Sequence, residues 1–224
     1  MTPVLLSLSL SLSALLAASA WAAPAAGAAP RADRPAAVPS GWEKVDATDL
    51  TRIAQNDGAR QAPLAAGDVS AQADEPELLA MQSLRNQKFV TTEKTYPAPH
   101  TGVLRARSDA YGGSWEGFAF EWDETTGTYA LKSLANDRYV AVEKNFTGAA
   151  QNELRARSTS VGGWERFVLY YSESLDRWAL QSTLNGLFVA MENNYTGSLQ
   201  YALRARSTTI SGSWEEFNLY TIGA

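Results

Sequence analysis

The chain has 224 residues, 45% of them apolar and 10% aromatic, with a formal charge of −5 and no cysteine. That is enough apolar material for a core without covalent staples, and it excludes a disulfide scaffold, a cysteine-ligated metal and a lipid-anchored lipoprotein. The acidic balance, with glutamates interspersed among arginines, argues against a nucleic-acid surface.

The N-terminus reads "VLLSLSLSLSALLAASAWAA", a continuous apolar run that ends in small residues. Its length approaches what spans a bilayer, so a membrane anchor is the alternative reading. Three features favour a signal peptide over 1–22: the small-x-small pattern at Ala20, Trp21 and Ala22, the Ala/Pro-rich tract that follows, and the lack of a basic stop-transfer cluster. The positive n-region is weak, since residues 1–4 contain no Lys or Arg. Export without cysteine fits a bacterial envelope or exterior, so the expected location is secreted or periplasmic, with no integral membrane association after cleavage. The sequons at Asn145 and Asn194 are then incidental.

Residues 23–75 open as "APAAGAAPRADRPAAVPS", too poor in large apolar side chains to bury a core, and read as a linker. Within it, "TDLTRIAQNDGA" predicts a short helix near 48–57, with Thr48 as N-cap and Leu50, Ile53 and Ala54 on one side. Such a helix is marginal alone. The region is expected to be a plain linker, with a docking segment or a further-cleaved pro-segment as alternatives.

From 78 onward the chain is periodic. "LRARS" occurs at 104–108, 154–158 and 203–207, and each copy is followed by Trp-Glu-x-Phe at Trp115, Trp164 and Trp214. Three copies divide the region into repeats 78–127, 128–176 and 177–224. Each holds four segments with strand character, for example "TYALKS", "RYVAVE", "LRARS" and "RFVLYY". Asn185-Gly186 signals a tight hairpin between the first two, and Asn136-Asp137 and Asn86-Gln87 are weaker versions of it. Twelve strands in three repeats predict an all-β fold, a β-trefoil: a closed six-stranded barrel capped by three hairpins. A propeller usually needs at least four blades, and a three-sheet prism lacks a matching motif here.

The combination "NQKFV…LRARS…GGSWEGF", "NDRYV…LRARS…VGGWERF" and "NGLFV…LRARS…SGSWEEF" resembles the fascin-like β-trefoil repeat over 78–224, with Leu187 departing from the usual basic residue. The resemblance implies the trefoil fold. For function it points two ways, because fascins bundle actin whereas bacterial relatives are often attached to secreted carbohydrate-active proteins.

Strand alternation puts Leu104 and Ala106 toward the barrel and Arg105 and Arg107 away from it. With Glu93, Glu143 and Glu192 in the second strands and Glu116, Glu165 and Glu215 beside the tryptophans, the arginines are expected to form surface ion-pair clusters. The three tryptophans are expected in the barrel floor, since a large ring repeated by symmetry is more often core than site.

The loop after each strand glutamate has constant length, but only an aromatic persists in it: Tyr96, Phe146 and Tyr195, with Asn145 and Asn194 preceding two of them and Thr95 the first. An aromatic beside an amide can stack on a pyranose while hydrogen-bonding its hydroxyls, so Tyr96, Asn145, Phe146, Asn194 and Tyr195 are the candidate ligand-binding residues. The alternative is that the rings fold back and plug the hairpin triangle. Catalysis has little support: the lone His100 reads as a solvated loop residue, the carboxylates recur by symmetry, and no cofactor or metal motif appears. The sequence therefore predicts a secreted, non-enzymatic, lectin-like trefoil whose partner is a glycan or polysaccharide. The alternative is a protein-binding module for actin or a secreted enzyme, using the Pro97 and Pro99 loop.

Overall fold

A computed structural model describes residues 36–56 and 76–222. The predicted signal peptide at 1–22 and the linker stretches 23–35 and 57–75 lie outside the described residues. An N-terminal strap contains β1 (Glu43–Lys44) and α1 (Ala47–Asn56). The first repeat supplies β2 (Glu77–Ser83), β3 (Lys88–Glu93), β4 (Val103–Ser108) and β5 (Gly117–Asp123). The second supplies β6 (Thr128–Ser133), β7 (Arg138–Val142), β8 (Leu154–Ser158) and β9 (Arg166–Ser172). The third supplies β10 (Arg177–Ser182), β11 (Phe188–Met191), β12 (Leu203–Ser207) and β13 (Phe217–Thr221).

The first and fourth strands of each repeat close a barrel of six antiparallel pairings: β2–β5, β5–β6, β6–β9, β9–β10, β10–β13 and β13–β2. The second and third strands form the hairpins β3–β4, β7–β8 and β11–β12. These meet one another through Val103 opposite Arg155, Arg105 opposite Ala202, and Glu153 opposite Arg204. The architecture is the predicted twelve-stranded β-trefoil. Closure leaves no long free edge in the barrel.

Side chains fill the barrel in threefold sets. Leu79, Tyr129 and Trp178 share one position, Met81, Leu131 and Leu180 the next, and Phe118, Phe167 and Phe217 come from the fourth strands, all buried. Leu104, Leu154 and Leu203 join them from the hairpins. The turns are anchored alike: Asn86, Asn136 and Asn185 donate Nδ2–H to the carbonyls of Ala106, Ala156 and Ala205 at 2.8, 2.8 and 2.9 Å. The next residue takes left-handed backbone, at φ 58° for Gln87, 56° for Asp137 and 67° for Gly186. The asparagine anchor therefore gives one turn to sequences of unequal hairpin propensity.

Composition predicts a linker over 23–75, yet residues 36–56 pack on the trefoil. β1 pairs with β9, Val45 N–H donates to Leu169 O, and Ala37 bridges Thr209. Val45, Leu50 and Ile53 belong to the same apolar cluster as Leu79, Tyr129 and Trp178, and Thr51 Oγ1 donates to Glu77 Oε1 at 2.6 Å. α1 thus covers the barrel end where β2 and β6 begin, away from the hairpins. Its N-cap is Asp46, whose Oδ1 accepts Asp49 N–H at 2.9 Å, rather than the predicted Thr48. A ten-residue helix is unstable alone, and here one apolar face buried on the barrel supplies what local propensity does not. Burial pushes the Tyr129 hydroxyl pKa upward beneath this lid, and the carboxylates of Asp46, Glu77 and Asp49 add to the effect.

Leu50 is 1% exposed, so Leu50→Ala is expected to lower the unfolding free energy by about 2–5 kcal/mol in urea denaturation. A loss below about 0.5 kcal/mol, the range of a surface change, would mean the strap behaves as a linker.

Candidate functional site

Each "LRARS" strand builds the same cluster at the junction of the repeats. Arg105, Arg155 and Arg204 reach Glu93, Glu143 and Glu192 through Nη1 at 3.4, 3.1 and 3.2 Å. Arg107, Arg157 and Arg206 bind the same three carboxylates through Nε. The glutamates are buried, as are Arg105 and Arg204. The expectation of surface ion pairs is therefore corrected. The side of the strand that faces away from the barrel becomes an interior once three hairpins close on each other.

The first arginine of each copy also crosses to a neighbouring repeat. Arg105 Nε donates to Gln200 O at 2.6 Å, Arg155 Nε to Thr101 O at 3.0 Å, and Arg204 Nε to Gln151 O at 2.6 Å. Main-chain bonds follow the same circuit: Ala106 N–H to Tyr201 O, Ala156 N–H to Gly102 O, and Ala205 N–H to Asn152 O, at 2.9, 2.8 and 3.0 Å. First binds third, second binds first, and third binds second.

The loop aromatics are laid on these guanidinium groups. The Cζ atoms of Arg105, Arg155 and Arg204 lie 5.4, 5.5 and 5.6 Å from the ring centroids of Tyr96, Phe146 and Tyr195. The hydroxyls of Tyr96 and Tyr195 accept from the same arginines. Each ring is half-buried, while Asn145 and Asn194 beside two of them are exposed. The structure thus gives each ring its own arginine and keeps the candidate residues in three separate loops instead of gathering them into one pocket. The rings fold back, as the alternative reading had it, yet each remains partly open to solvent.

The tryptophans are not barrel floor. Trp115, Trp164 and Trp214 are half-buried at the rim, with Lys94 Nζ 5.0 Å, Arg157 Cζ 5.5 Å and Arg85 Cζ 4.6 Å from their rings. The phenylalanines three residues onward, Phe118, Phe167 and Phe217, are the rings that belong to the core. Glu116, Glu165 and Glu215 stand apart from the arginine clusters too. They accept main-chain N–H from Gly112, Gly162 and Ser211, closing the turn around each tryptophan.

One pair has no counterpart elsewhere. His100 Nδ1 lies 3.0 and 3.1 Å from the two carboxylate oxygens of Glu153, whose side chain is 0% exposed. His100 is therefore not the solvated loop residue expected from sequence. Its ring stands edge-on to Phe146, centroids 6.4 Å apart. Burial pushes the Glu153 carboxyl pKa upward; the hydrogen bond and charge of His100, and then Arg155, pull the other way, and Glu143 adds a small upward push. The signal available in the sequence was the residue preceding each "LRARS": Val103, Glu153 and Ala202, one charge among apolar equivalents.

No protein-family model matches the chain, and no curated protein matches it. Solved structures do resemble it in fold. A designed threefold-symmetric protein, ThreeFoil, is 17% identical with TM-score 0.52, covering 64% of this chain and 97% of that one. A mosquitocidal holotoxin is 10% identical with TM-score 0.55, covering 69% of this chain and 18% of the toxin. The Macrolepiota procera ricin B-like lectin, solved in complex with lactose, is 11% identical with TM-score 0.50, covering 69% of this chain and 99% of the lectin. At these identities the likeness establishes the β-trefoil fold.

Two stability experiments test the clusters. Glu143→Ala leaves Arg155 and Arg157 without their shared carboxylate and is expected to cost about 3–5 kcal/mol in urea denaturation, the loss typical of breaking a buried pair. Glu153→Val installs the residue of the first repeat. Because the folded-state pKa of Glu153 is raised, its contribution is full below the ordinary carboxylate range and is lost as pH rises through the folded value. The variant should therefore melt about 2–4 °C above the parent near neutral pH and gain least in acid. An advantage that grows toward low pH would refute this assignment.

Proposed function

We propose that the protein is a secreted, non-enzymatic carbohydrate-binding trefoil, multivalent toward a polysaccharide. The observation that carries this reading is the half-exposed ring set at the same place in every repeat and held on a buried or nearly buried guanidinium. A ring fixed before binding loses little conformational freedom when a sugar stacks on it. The exposed amides of Asn145 and Asn194 stand beside two of the rings, where they can hydrogen-bond sugar hydroxyls. Lactose binding by the Macrolepiota procera lectin on the same fold supports the choice of ligand class. Three weak sites on one rigid body gain about 10²–10⁴-fold on a polymer by avidity.

A second reading rests on the first loop, where Pro97, Ala98 and Pro99 are all exposed. It is a protein-binding module of the fascin-like kind, and co-sedimentation with filamentous actin that is lost in Pro97→Ala/Pro99→Ala would favour it.

A glycan array followed by polysaccharide pull-down tests the main reading. Asn145→Ala/Asn194→Ala should weaken retention about tenfold without lowering the melting temperature, because both side chains are exposed. Loss of Tyr96, Phe146 and Tyr195 together should abolish it. Retention that survives the triple change refutes the site, and no binding to any glycan refutes the function.

A further inference from the structure

Residues that hold the scaffold recur three times: the buried glutamates, the arginine pairs and the turn asparagines. His100 and Glu153 do not. Their equivalents are Ala150 and Leu199 for the histidine, and Val103 and Ala202 for the glutamate. Val103 and Ala202 are themselves completely buried, so the junction closes without a charge in two of its three places. A buried carboxylate is destabilising relative to an apolar residue there, and its presence follows from what it holds.

Glu153 holds one imidazole in one orientation. With Nδ1 against both carboxylate oxygens, Nε2 is the nitrogen left to the ring. No described residue pairs with Nε2, and it is absent from the buried unpaired atoms, which are Tyr129 Oη, Asn136 Oδ1 and Trp178 Nε1. Nε2 therefore reaches solvent. It does so beside the half-exposed ring of Phe146, whose other neighbour is Arg155.

The charged groups around the imidazole are Glu153, with Arg155 and Glu143 behind it. Both carboxylates are turned inward and engaged by Arg155, Arg157 and His100, so the solvent side of this seam presents the imidazole Nε2 and an aromatic face. We propose that the seam between the first and second loops is a subsite for an acidic sugar, whose carboxylate accepts from Nε2–H of the His100 imidazolium while its ring stacks on Phe146. This rests on the carbohydrate-binding reading and adds the sugar class and the residue that selects it. Glu153 is the positioning residue, since it acts through His100.

The test is calorimetric titration with oligogalacturonate and with a neutral galacto-oligosaccharide. Oligogalacturonate should bind at least about tenfold more tightly than the neutral probe, as expected for gaining one charge-assisted hydrogen bond. His100→Gln should remove that gain and leave the affinity for the neutral probe unchanged. Glu153→Gln should reduce the gain without removing it. Equal affinity for the two probes overturns the subsite while leaving glycan binding intact; so does an unaltered His100→Gln. Binding of neither probe, with an empty glycan array, overturns the underlying reading as well.

Discussion

A carboxylate shared by two arginines, out of water and repeated three times, is the interaction on which the rest of this structure depends. Glu93, Glu143 and Glu192 each fix two guanidinium groups. The inner guanidinium then has donors left for a carbonyl of a neighbouring repeat. Charges buried this way are costly unless every donor finds an acceptor. Here the carboxylate, the neighbouring carbonyl and the loop aromatic together surround each inner arginine. The hairpin cap therefore closes as a unit, because each repeat satisfies an arginine of another.

The same constraint sets where ligand chemistry can lie. An arginine locked by its glutamate is a firm bed for Tyr96, Phe146 or Tyr195, so the rings keep their place without a ligand. Threefold repetition also separates scaffold from speciality. A residue present in all three copies can be explained by closure alone, whereas His100 and Glu153 occur once and add a buried charge that closure does not require.

The far end of the barrel is solved differently. Leu79, Tyr129 and Trp178 differ in shape, so the mouth of the barrel is not threefold symmetric, and rings from Trp122 and Tyr171 crowd against two of them at 4.9 and 4.6 Å. A single strap with Val45, Leu50 and Ile53 covers this uneven surface. One asymmetric lid at the mouth complements three symmetric hairpins at the cap.

Period, strand number and barrel-facing residues were legible in the sequence, because alternation along a strand and recurrence every 49 or 50 residues are local facts. The sequence by itself determined the trefoil, the inward Leu and Ala of "LRARS", and the recurrence of one ring in each loop. Alternation states only which side of a strand faces the barrel. Whether the other side meets water is decided by what packs there, and only the tertiary structure turned Arg105 and Arg204 inward and left the tryptophans at the rim. Likewise, composition could not show that α1 has a barrel mouth to cover. Nor could spacing show that His100 meets Glu153, 53 residues away in the next repeat, because contact across repeats exists only after three hairpins have closed.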